Sequence, residues 1–253
     1  MPKRDRQSMN QTTKKVCLLT GAGGQLGNAF CRFYADKYHI VGVYRSKPPN
    51  VPSQQQLFVD PLNPKTKVLE NEHPVFAIKA DLSDDRQLER IVELTLARFD
   101  RIDLLVNAAV NLILAPIIED NRQLENIEAQ FNINVIVPLK LAVMVARNFW
   151  RNRVEENTQM NRNVINVSSI SGVNIYPGIG QSIYSASKAG LNHLTRHMAY
   201  EFQSFGVRVN ATAPTSFPSI ISTESVVQSI IRLDEGTMTG KVLILDQEGE
   251  NLT

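Results

Sequence analysis

The feature that most constrains this chain is an apolar run that ends in glycines: Val16-Cys17-Leu18-Leu19-Thr20 leads directly into Gly21-Ala22-Gly23-Gly24-Gln25-Leu26-Gly27. A short apolar run without polar alternation reads as a parallel strand buried on both faces. Ala29, Phe30, Phe33 and Tyr34 then recur at helical spacing, which puts the glycines in a strand-to-helix turn. Lacking Cβ atoms, such a turn bends sharply and lets other atoms approach its backbone. Its amides and the positive end of the helix dipole suit a pyrophosphate.

Strand and helix patterns alternate through the rest of the chain. Strands are expected near 16–20, 40–44, 75–79, 102–106, 163–168, 206–212 and 241–245, and helices near 25–37, 84–98, 122–150, 182–204 and 223–233. This order predicts an α/β fold, a doubly wound parallel sheet covered by helices on both faces. The 253 residues, 43% of them hydrophobic, suffice for one well-buried domain. That single domain is expected over 15–247, with a disordered tail before it, 1–14, and a short tail after it, 248–253. No internal repeat is visible. The stretch 46–74 is irregular, because Pro48, Pro49, Pro52, Pro61, Pro64 and Pro74 fall where a crossover helix would lie. Leaving the second strand, it is expected to border the adenosine end of a nucleotide.

Two local patterns carry chemistry. In Tyr184-Ser185-Ala186-Ser187-Lys188 a predicted helix places a phenol and an ammonium four residues apart on one face. A lysine cation beside a phenol favours phenolate and would bring a pKa of about 10 toward an acid/base range. The second pattern is His39-Ile40-Val41-Gly42-Val43-Tyr44-Arg45, an apolar strand whose end lies 18 residues beyond Gly27, where a ribose is read. An acidic residue there would accept from a free 2′-hydroxyl. The chain instead offers Tyr44 and Arg45, and the guanidinium suits a 2′-phosphate, so NADP is expected rather than NAD.

With these residues the chain resembles the short-chain dehydrogenase/reductase family, in its one-domain form, over about residues 14–247. The resemblance extends to Asp81-Leu82 after the third strand, where the family places an aspartate by the adenine. Leu104-Leu105-Val106-Asn107-Ala108-Ala109 is similar to its Asn-Asn-Ala-Gly segment, which steadies the sheet. Asn134, in Phe131-Asn132-Ile133-Asn134-Val135, matches an asparagine that holds a water for a proton relay. Val164-Ile165-Asn166-Val167-Ser168-Ser169 matches the strand ending in a substrate-orienting serine, carried over to Ser169. Arg208-Val209-Asn210-Ala211-Thr212-Ala213-Pro214 and Thr239-Gly240-Lys241-Val242-Leu243-Ile244-Leu245-Asp246 resemble the last two strands. The resemblance implies that Tyr184 exchanges a proton with a carbonyl oxygen as hydride moves between nicotinamide and carbon, and that Ser169 hydrogen-bonds the same oxygen. It also implies that Lys188 lowers the phenol pKa and binds the nicotinamide ribose. The cofactor-binding set is then Gly21, Gly23, Gly24, Gln25, Leu26, Gly27, Arg45, Asp81, Leu82, Asn107, Ala108, Tyr184, Lys188 and Pro214, with no metal.

Four departures from the family pattern stand out. Gln25 replaces the middle glycine of the turn, which puts a side chain near the pyrophosphate. Ser169 lies 15 residues before Tyr184, two more than the family shows, and Ser171, 13 before it, is a rival. Ser169 is preferred at its strand end, with the insertion absorbed by the loop 173–181. Thr215 follows Pro214 where the family has glycine. Only 25 positions separate Pro214 from Thr239, so the family's helical lid is shortened to one helix and the substrate side is expected to be open. A large or carrier-attached substrate would suit such a site.

A net charge of +2 gives no reason to propose nucleic acid, and the basic stretches 3–6 and 147–153 read as solvated surface. Cys17 and Cys31 have no metal-ligand cluster, and their scarcity suits a reducing compartment. With no apolar run taken to reach membrane-spanning length and no secretion signal, a cytoplasmic location is expected. Of the four histidines, His39, His73, His193 and His197, the last two share a metal-like spacing and read as a helix-surface pair. The helices around 122–150 and 182–204 hold more apolar surface than one sheet face needs, and the resemblance implies a homodimer or homotetramer through them. The expected activity is NADP-dependent interconversion of a ketone and a secondary alcohol. An NAD-linked alcohol dehydrogenase and a catalytically silent nucleotide-binding protein are the competing readings.

Overall fold

The structure, a computed structural model, describes residues 14–50 and 75–253. The expected N-terminal tail before Lys14 and most of the proline-rich segment, including His73, lie outside the described residues. In chain order the elements are β1 (Lys15–Thr20), α1 (Gln25–Tyr34), β2 (Tyr38–Tyr44), β3 (Val75–Lys79), α2 (Asp85–Phe99), β4 (Leu104–Asn107), α3 (Arg122–Glu125), α4 (Ile127–Phe131), α5 (Val137–Val145) and α6 (Val154–Gln159). They are followed by β5 (Asn163–Val167), α7 (Ser182–Phe202), β6 (Arg208–Pro214), α8 (Thr223–Glu235), β7 (Val242–Asp246) and β8 (Gly249–Leu252).

One eight-stranded sheet has the order β3-β2-β1-β4-β5-β6-β7-β8. Its pairings are parallel from β3 through β7, and β8 alone runs antiparallel. Strand side chains alternate between two cores. Val16 and Leu18 of β1 pack with α2, α5 and α7, while Cys17 and Leu19 pack with α1 and α8. This double burial is why β1 is apolar throughout. The strand order reverses at β1, which is flanked by β2 and β4, and the crevice beyond its carboxyl end is where ligands bind in open α/β sheets.

Three sequence expectations change. The C-terminal residues are not all tail: β8 covers the edge of β7, with mutual backbone bonds between Val242 and Thr253 and an Arg232–Glu250 ion pair. An edge strand left bare offers unpaired backbone groups, and a polar, exposed segment satisfies them without an apolar signature. The single helix expected over 122–150 is a series of pieces. Asn126 ends α3, its side chain bonding back to the Arg122 carbonyl at 2.8 Å, and wide π turns occupy Asn132–Ile136 and Ala146–Trp150. Third, Ile127–Trp150 is long and apolar enough to cross a membrane by length and composition, with mean hydropathy 1.5, contrary to the expectation that no run is. Here its apolar side chains are spent on the sheet: Leu141, Ala142, Val145 and Trp150 are fully buried, and the Trp150 indole donates to the Ile102 carbonyl at 2.8 Å.

That packing also absorbs most of the apolar surface thought to be in excess. On α7, Leu191, Met198 and Phe202 are buried and Leu194 packs against the same core, leaving Tyr200, 82% exposed, as the large unpacked residue. His193 and His197 meet on its surface at 3.1 Å, as the sequence pair suggested, and no cluster of three metal-ligating side chains occurs among the described residues.

Candidate active site

At the end of β1, Thr20 joins the two halves of the crevice: its hydroxyl accepts from the amides of Ala108 and Ala109 at 3.1 and 3.2 Å. The chain leaving β4 is thereby held against the glycine turn. Gly21 has φ +71°, and a Cβ there would lie 2.8 Å from the Ala108 carbonyl oxygen, so neither the conformation nor the space admits a side chain. At Gly23 the approaching atom belongs to the protein: a Cβ would sit 1.7 Å from the Lys47 carbonyl oxygen. The residues after β2 fold back onto the turn there, and the Asn50 amide donates to the Asn28 side chain at 2.5 Å. Gly23 therefore makes room for Lys47, whereas the sequence suggested room for phosphate.

Helix α1 begins at Gln25 with no side-chain cap and no acidic residue in its first turn, which leaves its amides available to an anion. Two clefts meet at this point. One, of about 460 Å³, is lined by Gly23, Tyr44, Arg45, Lys47, Asp81 and Leu82. The other, of about 500 Å³, contains Leu26, Ser169, Tyr184, Lys188 and Pro214. Gly21, Gly24 and Ala108 line both, so a long ligand can bridge them across the glycine turn. This cradle fits a dinucleotide. In the first cleft the amide and hydroxyl of Ser83 hold the Asp81 carboxyl below its ordinary range, and the nearby Arg45 charge acts in the same direction.

Gln25 departs from expectation. Its amide group donates to the Thr223 hydroxyl at 2.8 Å, tying the glycine turn to the first residue of α8. The donor expected to meet a pyrophosphate is thus engaged by the helix that follows β6.

In the second cleft α7 brings Tyr184 and Lys188 to the end of β5. Ser169 and Tyr184 line the same cleft, with the Ser169 side chain acting to lower the phenol pKa, whereas the Ser171 hydroxyl donates to Gln181 at 3.2 Å. Lys188 is 2% exposed, and its Nζ donates to the Val167 carbonyl at 2.8 Å. The protonation states differ from the sequence reading. Burial pushes the Tyr184 phenol up, opposed in part by the Ser169 side chain, and burial pulls Lys188 down to about 7. The ammonium that was to lower the phenol is itself disfavoured by desolvation, and Nζ lies 5.7 Å from the phenol ring centre.

Asn134 turns its side chain to the loop after β4. Its side chain accepts from the Asn111 amide at 2.8 Å and donates to the Asn111 carbonyl at 2.8 Å and the Ser187 hydroxyl at 3.0 Å. That side chain is fully occupied in pinning the loop after β4 to α7. Asn107 bonds across the sheet to Asn166 at 2.9 Å, and Asn166 bonds onward to Thr195 of α7 at 2.9 Å.

Sequence reasoning missed Gln123. It is fully buried and donates to the carbonyls of Ala115 and Gly180, the latter at 2.6 Å, while accepting from the Ile183 amide at 3.1 Å. One side chain so clamps the loops 108–118 and 173–181 to each other and to the first turn of the helix that carries Tyr184. No spacing rule marks a glutamine for that task. Thr20 did carry a signal, its position immediately before Gly21.

Comparison with known proteins agrees with this geometry. Residues 15–228 match the short chain dehydrogenase family. The levodione reductase of Leifsonia aquatica is 32% identical over 229 residues, covering 88% of this chain and 75% of that one. A 3-oxoacyl-(acyl-carrier-protein) reductase of Thermotoga maritima is 30% identical over 200 residues, 79% of this chain and 73% of that one. Among solved structures, a short chain dehydrogenase from Mycobacterium avium superposes with a TM-score of 0.73 at 23% identity, over 95% of this chain and 84% of that one. One from Leptospira borgpetersenii with bound NAD+ gives 0.73 at 19% identity over 92% of each, and both agree on the fold. The chain belongs to the short-chain dehydrogenase/reductase family, as an oxidoreductase of alcohols and carbonyl compounds that works with a nicotinamide cofactor.

Proposed function

We propose that this protein interconverts a ketone and a secondary alcohol with NADP(H), using Tyr184 as general acid/base. The observation that carries the reading is that Ser169, Tyr184 and Lys188 line one cleft continuous with the glycine turn. The nicotinamide, when bound, supplies or takes up the hydride. In reduction Ser169 holds the carbonyl oxygen and stabilises the charge developing on it, and Tyr184 gives that oxygen its proton. A buried phenol that keeps its proton at neutral pH is in the state this step requires. Lys188, between Val167 and Tyr184, has the place to bind the nicotinamide ribose and to return a proton to the phenol. Asn134 positions the site by holding the loop after β4 against α7.

NADP is preferred over NAD in this reading because Arg45 and Lys47 line the adenosine end and neither Tyr44 nor Arg45 is a carboxylate that would accept from a free 2′-hydroxyl. The segment 215–222 and the single helix α8 stand where a longer lid would cover the substrate, so a large or carrier-attached substrate is part of the proposal. So is a dimer or tetramer through α5 and α7, with Tyr200 at its interface. Sedimentation velocity tests this, and a monomer at micromolar concentration contradicts it. Activity is tested by following NADPH consumption over a panel of ketones, including thioester-linked ones. Turnover of at least one class is expected, and none with either NADPH or NADH would leave a nucleotide-binding protein as the better reading.

A further inference from the structure

Apolar surface on this protein is concentrated around one opening. Of the sixteen large apolar residues exposed among the described residues, ten lie in the loops 110–118 and 173–179 or at Ile220, six of which line the catalytic cleft and make its rim apolar. Leu112, Leu114, Tyr176, Ile179, Phe217 and Ile220 line the cleft beside Ser169 and Tyr184. Beyond that rim, Ile118 and Ile175 stand 90% and 92% exposed. A patch of this kind around a concave site marks a binding surface, since scattered single residues would be the ordinary pattern.

The cleft also lacks the groups that would recognise charge. Its lining contains no Asp, Glu, Arg or His, and its one amine, Lys188, is buried and bound to the Val167 carbonyl. Away from the α1 amides that the cofactor would take, a carboxylate or phosphate seated between the two loops would lose hydration without gaining a charged partner. The two apolar loops are held in place, because Gln123 clamps both and the Ala115 amide donates to the Gly180 carbonyl at 2.7 Å. Apolar walls that are held in position before ligand arrives require little ordering on binding.

We infer that the substrate is an uncharged ketone with a hydrocarbon body, lying along the loops 108–118 and 173–181 with its carbonyl at Ser169 and Tyr184. The inference rests on the proposed reaction for the position of the carbonyl and adds the chemistry of everything attached to it. The same hydrocarbon flank occurs in free ketones and in oxoacyl thioesters, so both belong in the test.

The experiment compares methyl ketones from butanone to decanone, the keto acid in which decanone's terminal methyl is replaced by carboxylate, and 3-oxoacyl N-acetylcysteamine thioesters of matched chain length, all with NADPH. kcat/KM should rise about three- to fourfold per methylene, the change equivalent to about 0.8 kcal/mol for each buried CH₂. The keto acid should fall at least about tenfold below decanone. A parallel rise in the thioesters extends the assignment to tethered substrates, and a rise in free ketones alone confines it to them. A flat chain-length profile in both series, or a preference for the keto acid, would overturn it. Binding is measured separately by calorimetry on Tyr184→Phe with NADPH, where decanone should bind and Ile179→Asp added to that variant should weaken it at least about tenfold. An unchanged NADPH affinity checks that the variant is folded. Failure of decanone to bind overturns this inference. Binding without turnover in the unmodified protein sustains it and overturns the proposed reaction instead.

Discussion

Arg45 and Lys188 are the two residues whose charge states decide most here. Arg45 is exposed at the end of β2, within electrostatic reach of Asp81 in the adenosine cleft. NADPH should therefore bind more tightly than NADH, and Arg45→Ala should erase most of a difference of about 1–3 kcal/mol. Calorimetry with both nucleotides checks this, and equal affinities in the unmodified protein would contradict it. Lys188 makes a prediction about pH. Its folded pKa, about 7, lies below the ordinary 10.5, so between these values the unfolded chain binds one more proton and stability rises with pH. Removing the amine in Lys188→Met abolishes that slope. The variant's stability relative to the unmodified protein should be greater at pH 7 than at pH 10, by on the order of 4 kcal/mol. Denaturant titrations across this range measure it, and a difference that does not change with pH would contradict the assignment. Helical spacing put Tyr184 and Lys188 on one face and the family resemblance pointed to Ser169 at a strand end, and the structure brings the three to one cleft. The ionisation of Tyr184 and Lys188 was not legible, because it follows from how deeply tertiary packing buries the two groups.

Among the elements, the loops after β4 and before α7 do most to shape the site, and Gln123 joins them. Gln123→Leu keeps the volume but leaves the carbonyls of Ala115 and Gly180 and the Ile183 amide without their buried partner, a cost on the order of 2–4 kcal/mol. The same variant should raise KM for a ketone several-fold while leaving the NADPH dissociation constant unchanged, since no cofactor residue is touched. An unchanged KM would show that the clamp does not position the site. Periodicity located β1, β2 and α7 because their burial is double-faced or one-sided in a regular way. It read 122–150 as one helix because the chain does keep helical hydrogen bonding, and only Asn126 and the two π turns shift its phase. β8 escaped notice because its four residues are exposed and carry no alternation, their pairing being imposed by the open edge of β7.

For the whole molecule, the strand order puts every candidate residue at one end of the sheet, and a buried ionic cluster secures the other. Asp103 accepts from the Val16 amide at 2.9 Å and from Arg101 and Arg162 at 2.7 and 3.1 Å, while Asp234 accepts from Lys15 at 3.0 Å and Tyr38 at 2.7 Å. Buried charges need such partners, and the scaffold beneath the crevice is held by these bonds. The architecture was readable from the order of strands, helices and glycines, while this cluster draws partners from residues up to 219 apart and left no local pattern. The proposal that the phenol of Tyr184 transfers the proton in a carbonyl–alcohol interconversion is put to the test by Tyr184→Phe, assayed with NADPH and a ketone the unmodified protein reduces. Turnover should fall by a factor of at least about 10³ with NADPH affinity nearly unchanged, the scale of removing an acid and its oxygen-orienting hydrogen bond together. Retention of most of the activity would contradict it.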